Sequence, residues 1–305
     1  MSARTRFTAL DYGLYAGIVF AWGFSWIALH YQIGSVPPEV SVMWRFAIAA
    51  PFMLAFAAIR GETLSYPLAG HLGFLALGIA LFSVNFVLFY YGGLYLASGL
   101  LAVIFSLSSI VNIFLGALVL GAPVDKRVAA GGALGFLGIS AMFYPQLAGA
   151  TIDSGALIGL ALCIAGTLSF CIGNMISARM QRRAIPVFTA SGYGMIYGAA
   201  CTALFAALRG HSFLIDWSPA YLAGLAYLAI IGSVMAFACY LTLLGRIGAD
   251  RAAYSTVMFP VVALAVSTML EGYRWTIPAL LGLLAVLAGN LLVLRAPKKT
   301  TPTSS

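Results

Sequence analysis

Trp22, Ser25 and Trp26 stand at i, i+3 and i+4, so on a helix they share one face. Helical spacing groups other residues in the same way: Phe82, Asn85, Phe86 and Phe89; Ser98, Phe105, Ser109 and Asn112; Cys163, Gly166, Thr167, Phe170 and Asn174. A further run presents Met235, Cys239 and Thr242 beside Phe237 and Tyr240. These side chains recognise rather than react. Aromatic rings give an apolar wall, and a few amides and hydroxyls give hydrogen bonds. A cavity built from them suits a small amphipathic solute with one apolar and one polar end. The competing assignment is that Ser, Thr and Asn bond across helices while the rings fill a core.

Arg45 lies within "PPEVSVMWRFAIAAP", residues 37–51, with no acid at i±3 or i±4. A cation at mid-membrane costs about 2.5–3.5 kcal/mol on insertion scales. Arg45 is seven residues past Pro38, or about 10 Å along a helix, shallow enough for a long side chain to snorkel outward. Ser41 shares its face, suggesting a polar stripe that opens outward, and Glu271 is the candidate partner at matching depth. Two roles stay open: binding a substrate carboxylate, or a structural or gating one.

Nothing here looks catalytic. GxSxG, HExxH and Gly-rich phosphate loops are missing, and Ser25 in "GFSWI" has neither a second Gly nor a nearby His. No catalytic residue, metal ligand or cofactor is expected, and the protein is not expected to be an enzyme. Cys163, Cys171, Cys201 and Cys239 sit in apolar runs without CxxC spacing, as small apolar residues. No acid falls at mid-depth, and His30, His71 and His211 fall near span ends. A proton relay would need such groups, so facilitated efflux is expected, with proton coupling, for which Glu271 is the candidate, as the alternative. Pro51 and Pro260 interrupt helical runs and remove backbone bonds to Ala47 and Thr256. Each is either a static kink or a hinge for gating.

The elements that must hold these residues follow from composition. The chain has 305 residues, 62% hydrophobic and 8% charged, with mean hydropathy +1.01, against about 25% charged in a soluble domain. The class is an all-α polytopic membrane protein. Runs of about 20 apolar residues fall at about 11–31, 38–59, 70–92, 98–120, 127–145, 154–178, 186–208, 219–243, 250–271 and 276–294, predicting ten transmembrane helices. The start, "MSARTRFTALDYG", does not read as a cleavable signal. Loops this short do not suit a receptor or scaffold, and no charged ring or filter segment suggests a channel.

With the N-terminus cytoplasmic, the inner segments hold thirteen Lys and Arg, including Arg60, Arg179, Arg182, Arg183 and Arg246. The outer segments hold Arg209 and Arg274 alone. Basic residues stay inside, so both termini are expected in the cytoplasm. The net charge of +8 is then a topology signal and implies no nucleic-acid partner. Tyr90, Tyr91, Tyr95, Tyr144, Trp217, Tyr221, Tyr273 and Trp275 gather at the outer ends, as an interface belt does.

The chain also repeats weakly. Residues 82–121 lie over 233–272 at a constant offset of 151, with Ala102 on Ala253 and Gly121 on Gly272. Five helices per half is odd, so the second copy must enter from the opposite side. That is an inverted repeat, which places a substrate site near mid-membrane at the repeat interface. The halves are 1–150 and 151–294, followed by a basic cytoplasmic tail at 295–305. Gly131 and Gly135 in "GGALGFLG" allow close helix packing or dimerisation, and the chain is expected as a monomer or homodimer.

The five-plus-five pattern, "AWGFSWIALHY", "WRFAIAAP" and "ADRAAYSTVMFPVVALAVSTMLEG" resemble the drug/metabolite transporter superfamily of EamA type, and most closely its YddG-like amino-acid exporters of the bacterial inner membrane. Many members carry a Glu-Pro pair in helices four and nine. Ser108-Ser109 and Phe259-Pro260 stand at those positions here. The resemblance implies a multi-pass inner-membrane exporter of aromatic or other neutral amino acids, working by alternating access. The alternative is export of other small amphipathic metabolites or drugs. The candidate substrate-binding residues are Trp22, Ser25, Trp26, Arg45, Phe82, Asn85, Ser109, Asn112, Phe170, Asn174 and Tyr240, with Pro51 and Pro260 for gating. An arginine at this point of helix two also resembles a general feature of the superfamily.

Overall fold

Helix ends are written into the sequence at several points of the computed structural model, which describes residues 8–120, 126–148, 153–247 and 255–294. Thr8 and Asp11 cap each other at the start of α1 (Ala9–His30). Pro38 opens α2 (Pro38–Ile59), where its missing N–H costs nothing. Asp153 accepts from the amide of Ala156 at the head of α6 (Ser154–Arg182). Gly61 and Gly210, with φ of 71° and 73°, close α2 and α7 (Val187–Leu208). In each, the next two amides turn back on the last helical turn: Gly61 to Ala58 and Glu62 to Ala57, Gly210 to Ala207 and His211 to Ala206. The left-handed backbone at these two glycines makes that turn possible.

The remaining helices are α3 (Leu68–Gly92), α4 (98–120), α5 (Lys126–Ala148), α8 (219–247), α9 (Ser255–Leu270) and α10 (Ile277–Leu294). No strand occurs among the described residues. Nine of the described helices are long and apolar enough to cross a membrane, and α9, with 16 described residues, is shorter. Apart from the start of α9, described helix ends lie within four residues of the predicted ones. The predicted span 250–271 is described from residue 255 onward, and the tail 295–305 lies outside the described residues.

Two helices are not uniform. Residues Gly78–Val84 of α3 and Tyr227–Met235 of α8 form π-turns, in which each amide bonds five residues back. In α4, Ser98–Ser106 and Ser108–Leu120 meet at a break at Leu107.

Glycine lets backbones touch where side chains would keep them apart. A Cβ at Gly138 would lie 2.6 Å from the Gly282 carbonyl, and one at Gly131 would lie 2.6 Å from the Gly289 carbonyl. The glycine face of α5 is thus spent inside the chain, on α10. Gly78 in the π-turn of α3 meets the backbone of α7 in the same way, 2.6 Å from the Gly194 carbonyl.

The antiparallel helices define two ends. At one, Arg246 of α8 bonds Asp11 of α1, and Glu62 after α2 accepts from the Thr189 amide and hydroxyl at the start of α7. At the other, Glu39 of α2 is wholly buried and accepts from Arg209 at 3.2 Å and Tyr91 at 2.9 Å, with His211 at 3.4 Å. In the connecting loops at this end, Asp216 accepts from the Ser35 hydroxyl and the Ser218 amide, which hold its carboxyl below the usual range.

The predicted aromatic belt is only partly formed. Tyr95, Tyr144 and Trp217 are exposed, whereas Tyr90 and Tyr221 are fully buried. The two buried hydroxyls have internal partners, Tyr90 on Gln32 at 2.6 Å and Tyr221 with Ser41 at 2.9 Å. A buried phenol that is satisfied inside does not need the interface.

Candidate functional site

A cavity of about 520 Å3 runs through the centre of the bundle, within the size range of small-molecule sites. Its deep part is bounded by Leu29, Arg45 and Phe89, and it extends to Ser177, Gln181 and Leu294 in the last turns of α6 and α10. The mouth therefore lies at the Arg246 end. Trp22, Ser25, Trp26, Arg45, Phe82, Asn85, Ser109, Asn112, Phe170, Asn174 and Tyr240 all line it.

Two aromatic clusters, which meet where Phe105 and Phe259 lie 6.1 Å apart, form much of the wall, and Phe46, Phe82 and Phe86 form a third. Trp26, Phe89, Phe105 and Phe170 join edge to face or tilted, with centroids 4.6–5.6 Å apart. Trp22 contacts Phe237, Tyr240 and Phe259 at 5.5–6.4 Å. Such contacts hold large rings in fixed orientations around the space. Helices α1, α3, α4 and α6 supply the first cluster, and α1, α8 and α9 the second.

Polar groups are few and mostly committed. The Ser25 hydroxyl donates to the Ala21 carbonyl, and Asn174 donates to Asn112 at 3.4 Å. Ser109 meets Asn290 of α10, which donates in turn to Ser106 beside the break in α4.

Arg45 is 5% exposed and does not snorkel. Its Nε and Nη2 donate to Ser233 Oγ at 3.3 and 3.2 Å, and its guanidinium lies 4.4 Å from the Phe86 ring centroid and 5.2 Å from that of Phe46. Ser233 spends its own proton on the Leu228 carbonyl, at 2.8 Å. It can therefore only accept from Arg45. Among the described residues no carboxylate lies within ion-pair distance of Arg45.

Two expectations are corrected here. Glu271 is not the partner of Arg45. It accepts from the Ser98 amide and hydroxyl, at 2.5–3.2 Å, and faces His30 Nδ1 at 2.9 Å. The dipole and free amides at the start of α4 attract this carboxylate, as at any helix N-terminus. Ser41 does not extend a polar stripe outward, because it is buried against Tyr221.

Helical spacing mispredicts further positions. Ser98 serves Glu271 and does not line the cavity. On α8, Phe237 and Tyr240 line the cavity while Met235 and Thr242 are exposed. Spacing shows which residues share a face, not which face turns inward, and on α8 the inward face is that of Phe237 and Tyr240. Ser233, Phe46, Ser177 and Gln181 are lining residues that spacing did not select. The repeat held a signal for one of them, since the 151-residue offset sets Ser233 against Phe82. Pro51 is exposed on the outer face of α2, and Pro260 is buried beside Phe259.

The profile of the EamA-like transporter family matches residues 12–144 and again 157–295. The chain is 22% identical over 285 residues to Protein PagO of Salmonella typhimurium, covering 93% of this chain and 92% of that one. It is 25% identical over 290 residues to a probable amino-acid metabolite efflux pump of Escherichia coli, covering 89% and 90%. A solved crystal structure superposes with a TM-score of 0.66 at 16% identity, covering 92% of this chain and 95% of the other. That likeness concerns the fold.

Proposed function

The chain belongs to the EamA-like transporter family, and from that premise we propose that it exports small amphipathic carboxylates, foremost neutral or aromatic amino acids, across a bacterial inner membrane. The observation that carries this is Arg45: a buried guanidinium, without a carboxylate partner among the described residues, on the wall of an aromatic cavity. Burying a charge is costly unless it is paired. A substrate carboxylate would complete the pair, and the surrounding rings would take its apolar end. The likeness to a probable amino-acid metabolite efflux pump supports the substrate class and the direction.

Alternating access between two inverted five-helix halves is the proposed mechanism. Gly131 packs on Gly289 and Gly138 on Gly282. A shift of 151 residues carries 131 to 282 and 138 to 289, turning each contact into the other. Contacts that exchange in this way support a twofold relation between the halves, as does the double match of the family profile. Ten membrane helices with cytoplasmic termini fit the charge distribution. Arg60, Arg179, Arg182, Arg183 and Arg246 gather at the end where the cavity opens, against Arg209 and Arg274 at the other. The described state is then open to the cytoplasm. Efflux is facilitated rather than proton-driven, since no carboxylate lines the cavity among the described residues.

Purified protein in liposomes loaded with radiolabelled amino acids tests this. Efflux faster than from protein-free vesicles, with or without an imposed proton gradient, is the expected result. If no amino acid leaves faster than the background, the substrate assignment is wrong. If efflux requires the gradient, the uncoupled mechanism is wrong.

A further inference from the structure

Asn85 is 1% exposed and lines the cavity at the end of the π-turn in α3. Its Nδ2 donates to the Leu81 carbonyl one turn back, at 3.2 Å. That bond fixes the amide, because turning it over would set two oxygens against each other. Oδ1 is left buried with no hydrogen-bond partner. Buried polar atoms are nearly always satisfied, and a bare one needs an explanation. Among the described cavity-lining residues, Asn85 is the one with such an orphaned atom. The amide oxygen of Asn112 is taken by Asn174, and the hydroxyl of Ser25 is engaged with Ala21.

Arg45 lies over the ring of Phe86, the chain neighbour of Asn85. Arg45 and Asn85 both line this cavity, the one a cation without a carboxylate, the other with a buried acceptor that has no donor. The geometry points to Asn85 Oδ1 as the acceptor for the substrate's ammonium group, while Arg45 holds its carboxylate. A neutral acceptor suits this task. An acid in the same cavity would pair with Arg45 and close the site to a zwitterion. Asn85 then separates α-amino acids from the carboxylic acids that lack the amino group. This rests on the transport function proposed above and adds the feature by which the substrate is chosen.

The test is competition against radiolabelled L-phenylalanine and L-leucine bound to the purified full chain in detergent. The competitors are each amino acid and its desamino counterpart, 3-phenylpropanoate or 4-methylpentanoate. A hydrogen bond to a charged group predicts that the wild type favours the amino acid by about tenfold or more. Asn85→Leu should bring that ratio within about threefold by weakening the amino acid alone, with binding of the desamino acid unchanged. Retained desamino binding shows that the variant is folded. Asn85→Ser is the second variant: its hydroxyl still reaches the i−4 carbonyl, as Ser25 reaches Ala21, but no acceptor projects into the cavity. It should lose the ratio as well. If both variants keep the wild-type ratio, or if the wild type binds each pair equally, the role of Asn85 is overturned while the transport function stands. If the wild type binds neither pair, the function itself falls and this inference with it.

Discussion

Arg45 and Ser233, 188 residues apart in sequence, meet where the π-turn of α8 faces α2. Ser233 fixes the direction of the guanidinium but neutralises nothing, because its proton is already given to Leu228. The cation is therefore oriented and unpaired. Taking an unpaired charge out of water is costly, and an apolar side chain of similar size removes that cost. Arg45→Met should keep or raise the melting temperature in detergent. Amino-acid affinity should fall at least about 30-fold, as expected for a lost charge-assisted hydrogen bond. Arg45→Lys, which lacks the planar fork, should lose about tenfold. A melting temperature that drops in Arg45→Met while the apparent KM stays at the wild-type value would assign Arg45 a structural role.

Much of this was legible in the residues. Helix positions followed from apolar run length, because a bilayer sets that length. Trp22, Ser25 and Trp26 on α1, Phe105, Ser109 and Asn112 on α4, and Phe170 and Asn174 on α6 followed from helical spacing and line the cavity. What was not legible was which face of a helix turns inward: Met235, Cys239 and Thr242 share a face of α8, but Phe237 and Tyr240 line the cavity, and Ser233 was passed over. Partner choice was equally hidden. Glu271 matched Arg45 in depth, but the free amides at the head of α4 compete for the same carboxylate. Depth is a property of sequence position, whereas azimuth around the bundle emerges only from packing.

The contact between α5 and α10 has no room for a methyl group. A Cβ at Gly138 would stand 2.6 Å from the Gly282 carbonyl, which is backbone and cannot swing aside. Gly138→Ala should destabilise by about 1–3 kcal/mol, the usual range for overpacking. Gly116 on α4 has nothing within 4 Å of an added Cβ, so Gly116→Ala should be neutral or slightly stabilising. Thermal unfolding of both variants in one detergent checks the contrast. Equal behaviour would mean that the α5–α10 approach is looser than described.

Glu271 joins three helices: it follows α9, caps α4 through Ser98 and faces His30 at the end of α1. Glu271→Gln keeps the shape and one acceptor oxygen but loses the charge at the α4 terminus. A loss of about 1–2 kcal/mol is expected. His30→Ala should cost less, because His30 is 46% exposed and an exposed pair is worth little. Melting temperatures of the two single variants and the double variant would separate the cap from the ion pair. Additive losses would show that His30 and Glu271 act independently.

The buried Glu39 needs Arg209. Its carboxylate has no exposure and contacts Arg209, His211 and Tyr91. Removing one partner of a buried pair typically costs about 3–5 kcal/mol. Arg209 is 45% exposed, so water shares the work and about 1–3 kcal/mol is expected for Arg209→Ala. The double variant Arg209→Ala with Glu39→Gln should recover most of the loss, since no unpaired buried charge remains. Thermal unfolding reads both, and failure of the double variant to recover would place the cost in packing against Tyr91 and Phe205.

Sidedness can be tested without a substrate. Gln181 is exposed in the last turn of α6 at the mouth of the cavity, and Trp217 is 78% exposed in a loop at the opposite end. The excess of Arg at the Gln181 end is the basis for the proposal that this end is cytoplasmic. In a background where Cys163, Cys171, Cys201 and Cys239 are replaced by Ser or Ala, a membrane-impermeant thiol reagent should label Gln181→Cys in inside-out vesicles and not in right-side-out ones. Trp217→Cys should show the reverse. Extending the series to Ser177→Cys probes the mouth itself. Labelling of Ser177→Cys that amino acid suppresses would show the solute entering from this end, and labelling of Gln181→Cys from the outside would invert the proposed topology.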